Sequence, residues 1–232
     1  MASTLGIGDS DICLQQPTEG NVKRQDGVVV LVLMVISAMT AVALVAVLDR
    51  RSKEHVVQAQ FWFDNVTFEV PGLRESIRKE EQQAVQLSAL TELRTAYRSL
   101  RVTFSDHPGG FYRVRVIQQY PSRPGPAGPV GQSRSMGPFG GEGSVSFQAV
   151  AAMVVHYAPP DAGRAALIDG IAKGIGRTAV HEFAHQILFG DRVPESVDPQ
   201  SYEYEKADRA EQYFGSMHWD TAWPFLVKKL GR

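Results

Sequence analysis

The sequence predicts an α+β fold: a twisted mixed sheet packed on a long helix and on a second, chemistry-bearing helix, with one transmembrane helix ahead of the domain. Three observations predict it. Aromatic and β-branched stretches with period-two alternation cluster before residue 158, amphipathic helical spacing runs from Leu73 to Leu100, and Gly27 to Leu48 holds 22 consecutive residues without a charge. The last stretch, GVVVLVLMVISAMTAVALVAVL, is long enough to cross the hydrocarbon core as a helix.

Composition limits the classes open to the chain. With 232 residues, 44% hydrophobic and 21% charged, it has room for one ordinary globular domain plus extensions. A formal net charge of -1 argues against a nucleic-acid partner. The lone Cys13 allows no internal disulfide and no thiolate metal site, so any metal must be held by His and carboxylates.

Residues 1–26 are polar and aperiodic and are expected to form a disordered tail. The apolar span 27–48 is expected to be an uncleaved single-pass membrane anchor. The leader before it is long and acidic for a signal peptide cut after Ala41-Val42-Ala43, and apolar residues continue past that point. Lys23 and Arg24 are nearly balanced across the span by Arg50, Arg51 and Lys53, so the positive-inside rule does not set the orientation. An extracytoplasmic domain is preferred, because large domains translocate whatever their charge. Residues 49–57 are then a juxtamembrane linker and 58–232 the soluble domain.

Within that domain, Gln58 to Val70 reads as a strand or strand pair with a turn at Asp64-Asn65. Leu73, Ile77, Val85, Leu87, Leu90, Leu93, Tyr97 and Leu100 follow the spacing of a long amphipathic helix, with Arg78, Lys79, Glu80 and Glu81 outside it. Arg101–Phe104 and Phe111–Gln118 read as two strands joined by a tight Ser-Asp-His-Pro-Gly-Gly turn, with His107 a turn residue. Pro121 to Gly143 is rich in Pro and Gly and reads as a long loop. Val145, Phe147 and Ala149 alternate with polar residues as a half-buried strand, and Ala151–Tyr157 is expected to be a further strand with His156 in the core. Asp161 can cap a helix from Ala162, which Gly170, Gly174 and Gly176 either break or pack tightly before the next helix begins.

That next helix carries Thr178-Ala-Val-His181-Glu182-Phe-Ala-His185-Gln-Ile-Leu-Phe189. Two histidines four residues apart lie one above the other on a helix, so both imidazoles can reach one divalent ion while Glu182 stands near enough to act as a base towards water. The intervening and flanking residues are almost wholly apolar, and three titratable groups buried in such a setting need a partner such as a metal. The stretch resembles the active helix of the zincin metallopeptidases. The resemblance implies a zincin-like fold with Zn2+ as cofactor and a sheet whose edge strand runs along the substrate cleft, nominated as the Val145–Ala149 region.

A catalytic zinc is usually held by three protein ligands. In metzincins the chain turns at a glycine three residues after the second histidine and supplies a ligand six residues after it. Those positions are Leu188 and Asp191 here, and Gly190 is better placed as a C-cap. In gluzincins the third ligand is a glutamate on a following helix. A helix from Ser201 to Phe214 would place Glu203 on its inward face with Ala207 and Ala210, and Glu205 and Asp208 on the other side. Glu203 is therefore preferred as the third ligand, with Glu205 and Asp191 next and Asp198, Asp208 or His218 behind them. The resemblance further implies a downstream histidine or tyrosine at the oxyanion, His218 or Tyr213, and an aspartate, Asp208, orienting a metal-bound histidine.

The expectation is a membrane-anchored zinc peptidase acting on peptide or protein substrates. His181, His185 and Glu203 hold the metal, Glu182 is the general base and His218 assists. The competing expectation is a non-catalytic, zincin-like binding or scaffold protein at the membrane, with the metal as a structural staple.

Overall fold

Among the described residues five short strands, four of them with an apolar face, form a single sheet packed on a long helix. The structure is a computed structural model and describes residues 34–40, 42, 56–70, 72, 73, 75–121, 128–189, 193 and 195–232. Strand β1 is Val57–Phe63, followed by helix α1 at Lys79–Ala96, β2 at Val102–Ser105 and β3 at Tyr112–Ile117. Then come β4 at Gly131–Ser135, a short 3-10 turn at Gly137–Phe139, β5 at Gly141–Ser146, α2 at Phe147–Tyr157 and α3 at Arg164–Ile187. The chain ends with α4 at Glu211–Phe214 and α5 at Trp223–Leu230.

The strand order is β2-β1-β3-β5-β4. The pairs β1–β2, β1–β3 and β3–β5 are parallel, and β4 alone runs antiparallel, against β5 at the sheet edge. Ala59, Phe61, Val114, Val116 and Val145 fill the helix-facing side and are buried. The opposite side carries Trp62, Arg113, Arg115, Glu142 and Gln132, which is the polar-out half of the strand alternation.

This corrects the expected fold class. The chain is mixed α/β with a mostly parallel sheet, not the zincin-like α+β arrangement. Parallel pairing follows from the connections: α1 carries the chain from β1 back to β2, and β2 and β3 flank β1 instead of pairing with each other as a hairpin would. Among the described residues no helix is long and apolar enough to cross a membrane. Of the expected span, Met34–Thr40 and Val42 are described, and they are helical and exposed. The rest of 27–48, the tail 1–26 and most of the linker lie outside the described residues.

Other elements also differ from expectation. The second strand expected after Asp64-Asn65 is absent, and Asn65 and Phe68 both adopt left-handed backbone there. Residues 147–157 form a helix, not strand, because the Ser146 hydroxyl accepts the Ala149 N–H at 3.2 Å and caps it. His156 is consequently exposed, its ring edge-on to Tyr157. His107 is an exposed turn residue beside Asp106, as expected.

Helix α1 buries Val85, Ala89, Leu93 and Ala96 along one stripe against the 24-residue α3. The two helices meet closely at Gly176, where an added Cβ would stand 2.7 Å from the Ala89 carbonyl oxygen. Gln186, fully buried on α3, ties the helix to the sheet. Its amide accepts from the Arg113 N–H and donates to the Arg113 carbonyl, both at 3.2 Å.

The start of α1 is fixed by charge. Glu81 accepts the Arg78 N–H at 2.7 Å and the Arg164 guanidinium at 2.7 and 2.8 Å. The Arg164 hydrogen bonds, then that from Arg78, hold its carboxyl down at about 2. A carboxyl depressed on folding adds stability above its unfolded value of about 4.3 and loses it as pH falls through about 2. Glu81→Gln is therefore expected to lower the urea midpoint at pH 7, with the gap to the parent protein narrowing between pH 4 and pH 2. A gap independent of pH in urea titrations contradicts this.

Candidate active site

The face of α3 beneath the sheet edge carries two rows of residues at helical spacing, Gly174-Thr178-Glu182 and Arg177-His181-His185, and together they floor a cleft of about 750 Å³. One wall is β4, through Gly131, Gln132, Ser133 and Ser135. The other is the irregular segment Ser201–Asp208 with Tyr213 and Met217, and Met153 and Tyr157 of α2 complete the lining. Gly131 is required by this closeness, since a Cβ there would sit 2.6 Å from the Thr178 methyl and inside the Glu182 carboxylate.

The two imidazoles converge as the spacing predicts. Their Nε2 atoms are 2.9 Å apart, with the rings nearly perpendicular at 78°. His181 Nδ1 lies 2.8 Å from the Tyr202 carbonyl oxygen. A carbonyl can only accept, so the Nδ1 nitrogen carries the proton and Nε2 presents its lone pair into the cleft. This is how a metal-ligating histidine is usually oriented from behind.

The charge states suit the same purpose. Although part of the His185 ring reaches solvent, the cleft walls strip its hydration and lower its pKa to about 4, helped by the electrostatics of the neighbouring His181 ring. His185 is therefore a neutral donor at physiological pH. Glu182 is buried, and that burial raises its carboxyl above the usual range, partly offset by His181 and a hydrogen bond from Ser133.

Two zinc–nitrogen bonds of about 2.0–2.1 Å at a tetrahedral angle hold their nitrogens roughly 3.3 Å apart, so the histidine pair fits an ion after opening by a few tenths of an ångström. The expected third donor is not with them. Among the described residues no group of three His, Cys, Asp or Glu is arranged to hold a metal.

The helix expected from Ser201 does not form before Glu211, so helical-face counting does not apply to Glu203. Glu203 is buried, with 1% exposure, but its carboxylate serves the chain end. It accepts the Ser201 hydroxyl, the Asp220 N–H at 3.1 Å and the Ala222 N–H at 2.6 Å. Ala222 is the N-cap of α5 and Asp220 lies just before it, so the carboxylate stands at the start of that helix, where a negative charge is favoured.

His218 does not line the cleft. It is exposed, stands 3.4 Å from Asp198, and contributes its backbone to a parallel bridge with Ser201. The Tyr213 hydroxyl lines the cleft but donates to the Ala207 carbonyl at 2.9 Å. Asp208 accepts from Tyr204 at 2.7 Å and orients no histidine. Glu205 is exposed on the cleft wall and shares the lining with both histidines. Asp191 lies outside the described residues.

Sequence reasoning missed Tyr202 and β4. Tyr202 works through its backbone carbonyl, which no side-chain pattern announces. Gly131-Gln-Ser-Arg-Ser135 has no apolar residue to mark a strand. The nominated edge strand is also corrected: β5 lies between β3 and β4, and β4 is the edge beside the cleft.

No protein-family model and no curated protein matches the chain.

Glu203→Ala is expected to cost about 3 kcal/mol in chemical unfolding, because it strands two N–H donors that a charged acceptor now satisfies. Retention of stability together with loss of zinc binding would instead make Glu203 a ligand.

Proposed function

We propose that this chain is a zinc-dependent peptidase. The observation that carries the reading is the meeting, in one cleft, of two imidazole Nε2 atoms, the ring of one fixed from behind by a carbonyl, with a buried glutamate whose basicity is raised. When bound, zinc would supply a Lewis acid that polarises a carbonyl oxygen and acidifies water. His181 and His185 would hold it, with the third donor to come from Glu205 or from Asp191.

The remaining work falls to the chain's own side chains and backbone. Glu182 accepts the proton of the attacking water and returns it to the leaving amine, a task suited to a carboxylate whose pKa burial has moved toward neutrality. Ser133 and the close approach of Gly131 hold the carboxylate against β4. Among the described residues the outer edge of β4 has no strand partner, and a sheet edge beside a cleft can recognise an extended peptide by adding it to the sheet. That mode reads backbone before side chains, which suits hydrolysis of peptide bonds.

A scaffold with a structural metal has no use for a base beside the ion, so Glu182 separates the two classes of function. Glu182→Gln is expected to bind zinc with the parent's stoichiometry while peptide hydrolysis falls about 10²–10⁴-fold. Hydrolysis that is unchanged in the zinc-loaded variant, measured on a mixed peptide library, would remove the peptidase reading.

A further inference from the structure

We infer that Glu92 of α1 is a positioning residue that fixes the proton of His181 through Tyr202 in a closed circuit of four residues. Glu92 Oε1 accepts two hydrogen bonds at once, from the Tyr202 hydroxyl at 3.0 Å and from Arg177 Nε at 3.1 Å. Arg177 stands one helical turn before His181 on α3. The circuit therefore leaves α3 at Arg177, crosses to α1 at Glu92, passes to Tyr202 and returns to α3 through the Tyr202 carbonyl and His181 Nδ1.

Closure is what gives this arrangement its effect. Tyr202 belongs to a segment with little regular structure of its own, held locally by its N–H bond to the His218 carbonyl at 3.0 Å. Tying its hydroxyl to Glu92 fixes the far end of the residue to the two helices that define the site. Its ring is packed against Trp219, whose indole N–H donates to the Ala96 carbonyl of α1 at 2.9 Å. Arg177 is equally committed, with 7% exposure and its other donors on the carbonyls of Glu211, Gln212 and Gly215. Each of its three nitrogens donates within the protein, so its presence in the cleft lining is explained by the circuit and by closing the end of α4.

A merely structural pairing of Glu92 with Arg177 would leave the tautomer of His181 indifferent to the Tyr202 hydroxyl. The circuit concerns the chain without metal, and its value for catalysis rests on the peptidase reading above. Long-range proton–nitrogen NMR of the full-length, metal-free protein, labelled in histidine, reads the tautomer directly. The parent should show His181 protonated at Nδ1. Tyr202→Phe keeps the ring and the carbonyl but should give ring shifts of mixed tautomers, and zinc alone should bind about 10-fold more weakly. Glu92→Leu should do the same, and if it fails to fold, Tyr202→Phe decides. Glu92→Gln keeps an acceptor oxygen and should preserve the parent pattern. Unchanged His181 shifts in Tyr202→Phe, or a parent protonated at Nε2, overturn the circuit. A parent that hydrolyses nothing but whose tautomer shifts in Tyr202→Phe defeats the peptidase reading and leaves the circuit standing.

Discussion

Crowding of four separate elements onto α3 is the constraint on which the site depends. The helix offers small residues where neighbours press hardest. Gly176 admits the backbone of α1, and Gly170 and Gly174 admit Val154 and Val150 of α2 together with Phe214 and Tyr213. Gly131, on β4, admits Thr178 and Glu182 from the opposite direction. A methyl group at these positions would open the packing by more than a close-packed interior tolerates without strain, which costs typically 1–3 kcal/mol. Enclosure by these neighbours removes water from Glu182 and His185, and both pKa shifts have that burial as their first cause.

Polar groups enclosed this way need partners, and the chain supplies them from distant elements. Gln186 binds the backbone of β3, Arg177 binds Glu92 and the end of α4, and Glu203 binds the start of α5. Among the described residues no buried side-chain nitrogen or oxygen lacks a hydrogen-bond partner. The Tyr97 hydroxyl adds a further tie, donating to the Val180 carbonyl next to His181 at 2.9 Å. Long-range polar contacts therefore do two jobs: they hold an irregular C-terminal segment onto the helical core, and they orient the one histidine whose back faces that segment.

The motif helix was legible because its chemistry and its periodicity coincide. His181, Glu182 and His185 lie at positions where i, i+4 spacing alone dictates a shared face, and the apolar residues between them mark the helix as buried. The stripe of α1 was readable in part for the same reason, but the helix begins at Lys79 instead of Leu73 and ends at Ala96 instead of Leu100, and Leu87 of the expected apolar face is exposed. What escaped were features that depend on partners far away in sequence. The parallel pairing of β2 and β3 with β1 is set by crossover connections, not by the composition of the turn between them. The 151–157 run is apolar on every side, so periodicity cannot separate a strand from a buried helix, and the Ser146 cap decides it. Burial of Glu203 was foreseen for the wrong cause: no helix presents it inward, and the amides of residues 220 and 222 draw it in.

The central claim is that His181 and His185 share one zinc ion in the working protein. X-ray absorption at the zinc edge of the full-length, zinc-loaded chain tests it most directly. The account predicts a first shell with two imidazole nitrogens at about 2.0–2.1 Å, falling to one in His185→Ala. A shell of oxygen donors alone, or a preparation that retains no zinc, would contradict it.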